Sequence, residues 1–283
     1  MPYLLVVSII WAFSFGLTKG KLAGLDSAFI SAARLSLALV VFLPFLRLRG
    51  ITLRIAGALI AIGAVQFGLM YLALNESYRH LASHEVVLFT LTTPVFVTLI
   101  ADAFERTLRP RALTAALLAM VSAAFVVIES ATFQSTLTGL VLVQLANLFF
   151  ALGQVFYRRF RSQHPALKDR DLFALLYVGA VAITVPIMIA RTGFDFPSLN
   201  STQCVTLLYL GILASGVCFF WWNLGATRVN AGTLAVFNNV KVPLGIACSL
   251  LFFNEYADLP RLAVGGALLV AAVAVAETKP RPV

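Results

Sequence analysis

Apolar residues along this chain do not alternate with polar ones. They run for about 20 positions at a time, stop at clusters of Arg, Lys, Gly, Pro and Asn, and begin again, which is the length a helix needs to cross a hydrocarbon core about 30 Å thick. The breaks predict ten spans, at 3–19, 28–46, 55–74, 83–103, 112–129, 137–157, 172–190, 204–225, 232–253 and 261–276. Membrane strands would alternate every second residue over about ten positions, whereas LVLVQLANLFFAL stays apolar through both phases. The predicted fold class is an all-α integral membrane protein of ten transmembrane helices.

Composition sharpens this by exclusion. With 60% of 283 residues hydrophobic and 12% charged, against about 25% charged in a soluble domain, the chain has no room for a separate soluble unit. Its net charge of +9 sits on residues that punctuate the apolar runs instead of gathering on one face, so nucleic acid is not an expected partner. Cys204, Cys218 and Cys248 lie far apart with no CxxC spacing, which predicts neither a disulfide framework nor a metal site. The apolar run from Tyr3 lacks a basic leader and a small-residue cleavage site, so it reads as a retained first span.

Basic residues are retained in the cytoplasm, which turns loop charge into orientation. With the N-terminus inside, fourteen Lys and Arg fall in inside connections and the tail, five fall outside, and Arg34 and Lys241 lie within spans. Both termini are therefore expected in the cytoplasm. The chain also repeats itself: at an offset of 149, Arg79 falls on Arg228, Ala82 on Ala231 and Pro94 on Pro243, with Gly68 near Gly216 and Glu105 near Glu255. Five spans per copy is odd, so the second copy, 137–277, enters the membrane inverted relative to the first, 1–130. Inverted repeats of this kind recur in transporters, with the solute site near the midplane between the halves.

Three stretches carry a family resemblance: IIWAFSFGLTKGKLAGLDSAFISAARL, ALNESYRHLASHEVVLFTLTTPVFVTLIADAFERTLRPR and GATRVNAGTLAVFNNVKVPLGIACSLLFFNEYADLPR. The chain resembles EamA-type members of the drug/metabolite transporter superfamily over nearly its whole length, and among them looks most like the YddG-type amino-acid exporters. The resemblance implies two inverted five-helix units and export of small metabolites. The glycine-and-acid pair that closes the fourth and ninth spans in many relatives is here FERT and FNEY, where Glu105 and Glu255 keep the acid and lose the glycine.

Polar residues at helical spacing mark the candidate site. Ser8, Trp11, Phe15 and Thr18 share one face of the first span, and Gln144, Asn147, Ala151 and Gln154 share one face of the sixth. Such stripes either line a cavity or bond helix to helix. In the ninth span Lys241 sits about ten residues from either end, at a cost of about 2.5–3.5 kcal/mol that only a partner, water or a role offsets. Asn238 lies one turn before it, and the fourth span answers with Glu85 and Thr92. Trp221 and Trp222 point about 100° apart, so one at most faces a cavity squarely, with Asn223 and Gly216 flanking that choice as Tyr71 and Gln66 do in the third span. Lys241 is expected to pair with a carboxylate, Asn147 and Asn238 to bond polar atoms, and Trp11 and Tyr71 to hold an apolar or cationic part, with Glu85, Thr92, Gln154 and Trp222 completing the pocket. Pro94 and Pro243, mid-span, are expected hinges. Arg34 stands about six residues from the outer end, where its head can reach the interface or a carbonyl and structural anchoring is favoured, and Asp102 reads as a solvated end charge.

Enzyme readings find little. His80 and His84 in HLASHE have i, i+4 spacing, but the position after the first His is Leu81, not Glu, and no GxSxG or phosphate-binding loop appears. The sequence thus predicts a secondary transporter in the inner membrane, without cofactor or metal, exporting small amphipathic metabolites, amino acids first, by alternating access. Its expected partners are the solute and membrane lipid, and its working state a monomer. Carriage of nucleosides, amines or drugs, a scaffold role, and a lipid-modifying enzyme are the alternatives.

Overall fold

A computed structural model describes residues 2–106, 133–228, 241, 244–253, 259, 260, 263, 264, 266–268, 270 and 271. These residues are helical with no strand among them, and seven helices are long and apolar enough to cross a membrane. They are α1 (Pro2–Lys21), α2 (Ser27–Phe42), α3 (Leu53–Ser77), α4 (Ser83–Phe104), α5 (Phe133–Gln163), α6 (Asp169–Thr192) and α7 (Ser201–Arg228). They correspond to expected spans one to four and six to eight. The expected span at 112–129 lies outside the described residues, and those at 232–253 and 261–276 lie partly outside them.

Helix starts follow local chemistry. Asp26 caps α2 by accepting from the backbone of Ala28 at 2.8 Å and Phe29 at 3.2 Å. Asn200 and Gln203 cap α7 reciprocally, at 2.9 and 3.1 Å. The fifth helix, 31 residues, would be about 46 Å long, more than the apolar core requires, so it carries Arg158, Arg159 and Arg161 beyond it. That end is fastened to the start of α6, where Asp169 meets Arg161 at 2.9 Å and accepts from Tyr157 at 2.5 Å.

Small residues let the middle helices approach. A Cβ on Gly63 would stand 1.9 Å from the carbonyl oxygen of Leu176, and one on Gly179 would stand 1.9 Å from that of Ile60. The backbones of α3 and α6 therefore touch where only glycine fits. At one end of these helices Arg191 of α6 binds Asp26 and Glu76, each at 3.0 Å, tying α6 to the start of α2 and the end of α3.

Two helices depart from α geometry at matching places. Ala64–Leu69 of α3 and Tyr209–Val217 of α7 are π-helical, and the offset of 149 lays 64–69 on 213–218. Such insertions widen a helix and cluster at functional sites. The fourth helix is interrupted instead by the tighter turn Thr90–Thr92, immediately before Pro94.

Candidate functional site

Thr90 of the tight turn lines one cavity, and so do Met70 and Phe219, just past the two π segments. About 80 Å³ of it is open to the centre of a water molecule, where a single water needs about 10–15 Å³, so it accommodates several waters or part of a solute. The first helix contributes Trp11, Ser14, Phe15 and Thr18, and α2 contributes Arg34. From α3 come Met70, Tyr71 and Leu74, just past the π segment; from α4, Thr90 and Thr93 at the break. Asn147 and Phe150 of α5, Phe219 of α7 and Lys241 close the wall.

The wall is aromatic on one side. Trp11 packs on Phe219 at 4.9 Å between ring centroids and on Trp222 at 5.0 Å, and its Nε1 donates to the Ala214 carbonyl at 2.9 Å inside the α7 π segment. Lys241 Nζ lies 5.4 Å from the Trp11 ring centroid, a distance at which the ring face attracts a cation. On the polar side Arg34, 3% exposed, donates from NH2 to the Tyr71 hydroxyl at 2.8 Å, from Nε to Ser215 Oγ at 3.1 Å and from NH1 to Thr18 Oγ1 at 3.3 Å. Its guanidinium carbon is also 4.3 Å from the centroid of the Tyr71 ring. Arg34 and Lys241 are the charged side chains of this wall among the described residues, and no carboxylate lines it with them.

The structure thus brings Lys241, Trp11, Tyr71 and Asn147 to one cavity, as the polar stripes suggest. Thr92 stands just behind, donating to Gln144 Oε1 at 2.6 Å and accepting from Asn147 Nδ2 at 2.8 Å. Gln154 is buried away from the wall, and Trp222 forms the layer behind Trp11. Glu85 is not a wall residue. It sits in the first turn of α4 and accepts from the Ala82 backbone N–H at 2.9 Å, because a carboxylate at that position satisfies an N–H that the helix start leaves unpaired. Asn238 and Pro243 lie outside the described residues.

Two expectations are corrected outright. Arg34 reaches neither the interface nor a carbonyl but is buried on three hydroxyls, since Tyr71, Ser215 and Thr18 offer acceptors at the depth its stem reaches. Asp102 is 1% exposed and not solvated. The buried amide pair Gln66 and Asn223, joined at 2.9 and 3.3 Å across α3 and α7, lies outside the cavity wall.

Buried cations and aromatic rings around one intramembrane cavity are the kind of lining found where membrane carriers hold a solute. The chain belongs to the EamA-like transporter family, which it matches over residues 1–128 and 137–277. It is a secondary transporter of small metabolites and not an enzyme, and a multi-pass inner-membrane protein. It is 44% identical to a probable biotin transporter of Pseudomonas aeruginosa over 275 residues, covering 96% of each chain. With the biotin transporter of Escherichia coli K12 it shares 38% identity over 275 residues, 96% of this chain and 91% of that one. The pseudopaline exporter CntI of Pseudomonas aeruginosa is 24% identical over 284 residues, covering 97% and 96% of the two chains. A solved crystal structure superposes with a TM-score of 0.66 at 16% identity, covering 97% of this chain and 95% of that one, a likeness of fold alone.

Proposed function

We propose that the chain carries biotin across the inner membrane by alternating access. In this reading ten helices form two inverted five-helix units, residues 1–130 and 137–277, with both termini in the cytoplasm. The excess of fourteen basic residues over five between the two sets of connections supports the orientation. The offset of 149 that joins the two π segments supports the repeat.

The observation that carries the substrate is the charge pattern of the wall. Two cations face the cavity together with Trp11, Phe150 and Phe219, and no carboxylate side chain lines it among the described residues. Biotin is a carboxylate on an apolar chain ending in a fused ring with a thioether and a ureido group. Its anion suits Arg34 or Lys241, its rings and chain suit the aromatic side, and its ureido atoms suit the amide and hydroxyls of Asn147 and Thr93. An amino acid would bring an ammonium to a wall that already holds two positive charges, so the relatives named for biotin and the electrostatics favour the same solute. Outward export, implied by the family resemblance, has a counterpart in the relative named an exporter; the names of the biotin relatives carry no direction.

The test is counterflow with the purified full chain in liposomes. Unlabelled biotin inside should draw labelled biotin in, and excess phenylalanine should not compete. Exchange of an amino acid without exchange of biotin overturns the reading. Right-side-out and inverted vesicles then read direction, and reporter fusions within 158–170 and after Val283 should both report the cytoplasm.

A further inference from the structure

The hydrogen bonds around Arg34 have a direction, and following the protons shows what this corner accepts. A guanidinium has five N–H donors and no acceptor, and a hydroxyl has one proton and two acceptor sites. Arg34 spends three donors, on Tyr71, Ser215 and Thr18. Thr18 Oγ1 gives its own proton to the Ser14 carbonyl at 2.8 Å. Ser215 Oγ, having accepted from Arg34, donates to the Tyr71 hydroxyl at 2.9 Å. The Tyr71 oxygen therefore receives two hydrogen bonds, and its own O–H must point elsewhere. Tyr71 and Arg34 line the cavity while Ser215 stands behind both. What this corner has left for the cavity is the Tyr71 O–H and two unspent guanidinium N–H groups, three donors with a positive charge.

The geometry points to a carboxylate subsite at Arg34 and Tyr71, with Ser215 as the residue that positions them. This deepens the biotin reading and rests on it: the valerate carboxylate docks at the α2–α3 corner, and Lys241, over the Trp11 ring, acts as a point charge without this directional selection. A carboxylate offers two oxygens with about four lone-pair directions, enough for all three donors, and the planar fork matches it in a way that an ammonium does not. A neutral amide in the same place brings an NH₂ against N–H donors and leaves them partly unmatched.

The test compares biotin with its primary amide as competitors of labelled biotin exchange in liposomes. The wild-type chain should prefer the acid by about tenfold or more. Arg34→Lys keeps the charge and loses the fork, and should bring acid and amide within about threefold of each other while the amide's own affinity holds. Tyr71→Phe keeps the ring under the guanidinium and removes one donor, lowering acid affinity about threefold to tenfold and sparing the amide. Ser215→Ala should change the acid in the same sense, a selective effect that a loss of packing alone would not give. Lys241→Met should keep the acid-to-amide ratio. If Arg34→Lys folds poorly, Tyr71→Phe decides. Unchanged ratios in both variants, or a ratio erased by Lys241→Met alone, overturn the subsite. If the wild-type chain exchanges no biotin, the functional reading falls by itself, and the subsite is tested on the purified protein by thermal protection. Protection by hexanoate but not hexanamide, lost in Tyr71→Phe, supports it; equal protection by the two overturns it.

Discussion

Asn147 on α5 donates through Nδ2 to the carbonyl oxygen of Phe89 on α4, at 2.9 Å. In a continuous helix that carbonyl would receive the backbone N–H of Thr93, but Thr93 gives its N–H to Thr90 across the tight turn. The Thr92 hydroxyl has the Phe89 carbonyl at 3.0 Å as its alternative to Gln144, and the Thr93 hydroxyl has Asn147 Oδ1 at 3.1 Å as its alternative to the Thr90 carbonyl. The break in α4 is thus stitched by a side chain that also faces the cavity, so a solute bonding Asn147 touches the device that holds the helix broken.

Replacing Asn147 by Leu should therefore destabilise the fold as well as impair transport. The Phe89 carbonyl loses its short partner from α5 and keeps only the 3.5 Å contact with Gln144 Nε2 from that helix, and Thr92 and Thr93 each lose a bond to the amide, at about 1–2 kcal/mol in total. Asn147→Asp keeps the shape but cannot donate, and should cost at least as much. Denaturation of purified protein measures both; wild-type midpoints would sink the stitch.

The contact between α3 and α6 gives a steric prediction with an internal control. Gly63→Ala and Gly179→Ala drive a methyl to 1.9 Å from a facing backbone oxygen, where neither helix can yield by a side-chain rotation. The cost should exceed the 1–3 kcal/mol of ordinary overpacking and appear as lost monodisperse protein on size exclusion. Gly57, on the same helix, has nothing within 4 Å of an added Cβ, and Gly57→Ala should stabilise by about 0.5–1 kcal/mol.

Much of this site is legible in the sequence because the bilayer makes polarity expensive. Lys241, Asn147, Trp11 and Tyr71 stand out in apolar spans for that reason alone, and all four reach the wall. Arg34 escaped because counting residues to the helix end measures depth and not direction; three acceptors on α1, α3 and α7 decide where its head goes. Glu85 misleads in the opposite way: one turn into a span it looks intramembrane, yet the helix begins at Ser83 and uses it as a cap. The π segments leave no mark in the apolar pattern, since adding one residue to a turn does not change hydropathy. Even the repeat locates them only once one copy has been seen.

Gln66 and Asn223 should behave as a coupled unit. Each amide bonds the other in a buried interface, and Gly153 makes room, since a Cβ there would stand 2.1 Å from Gln66 Cβ. Gln66→Leu or Asn223→Leu alone strands one buried amide and should cost about 1–3 kcal/mol. The double Leu variant strands none and should recover a good part of that, with a coupling of about 1 kcal/mol in a double-mutant cycle. Additive losses would show that the pair is two separate contacts.

Pro94 was expected to bend the fourth span by freeing a carbonyl in mid-helix, and the structure assigns it a different place. It stands in the first turn of the helical segment Thr93–Glu105, where the missing N–H costs nothing, and the irregular turn lies just before it. The carbonyl it would have bonded, that of Thr90, is taken by the N–H and the hydroxyl of Thr93, the latter at 2.8 Å. Pro94→Ala restores an N–H whose helical acceptor is that same carbonyl. The segment 89–93 can then wind into regular helix, which strengthens the backbone but withdraws the Phe89 carbonyl from Asn147 and turns Thr90 and Thr93 in the cavity wall. The expected result is a protein no less stable than wild type, with exchange slowed about tenfold and a smaller change in KM, because an altered wall and a stiffened break act on turnover. Exchange and stability both at wild-type level would mean that the break is held by Asn147 without help from the proline. The movements of the carrier would then have to be sought in the paired π segments, Ala64–Leu69 and Tyr209–Val217, where the two halves carry the same irregularity.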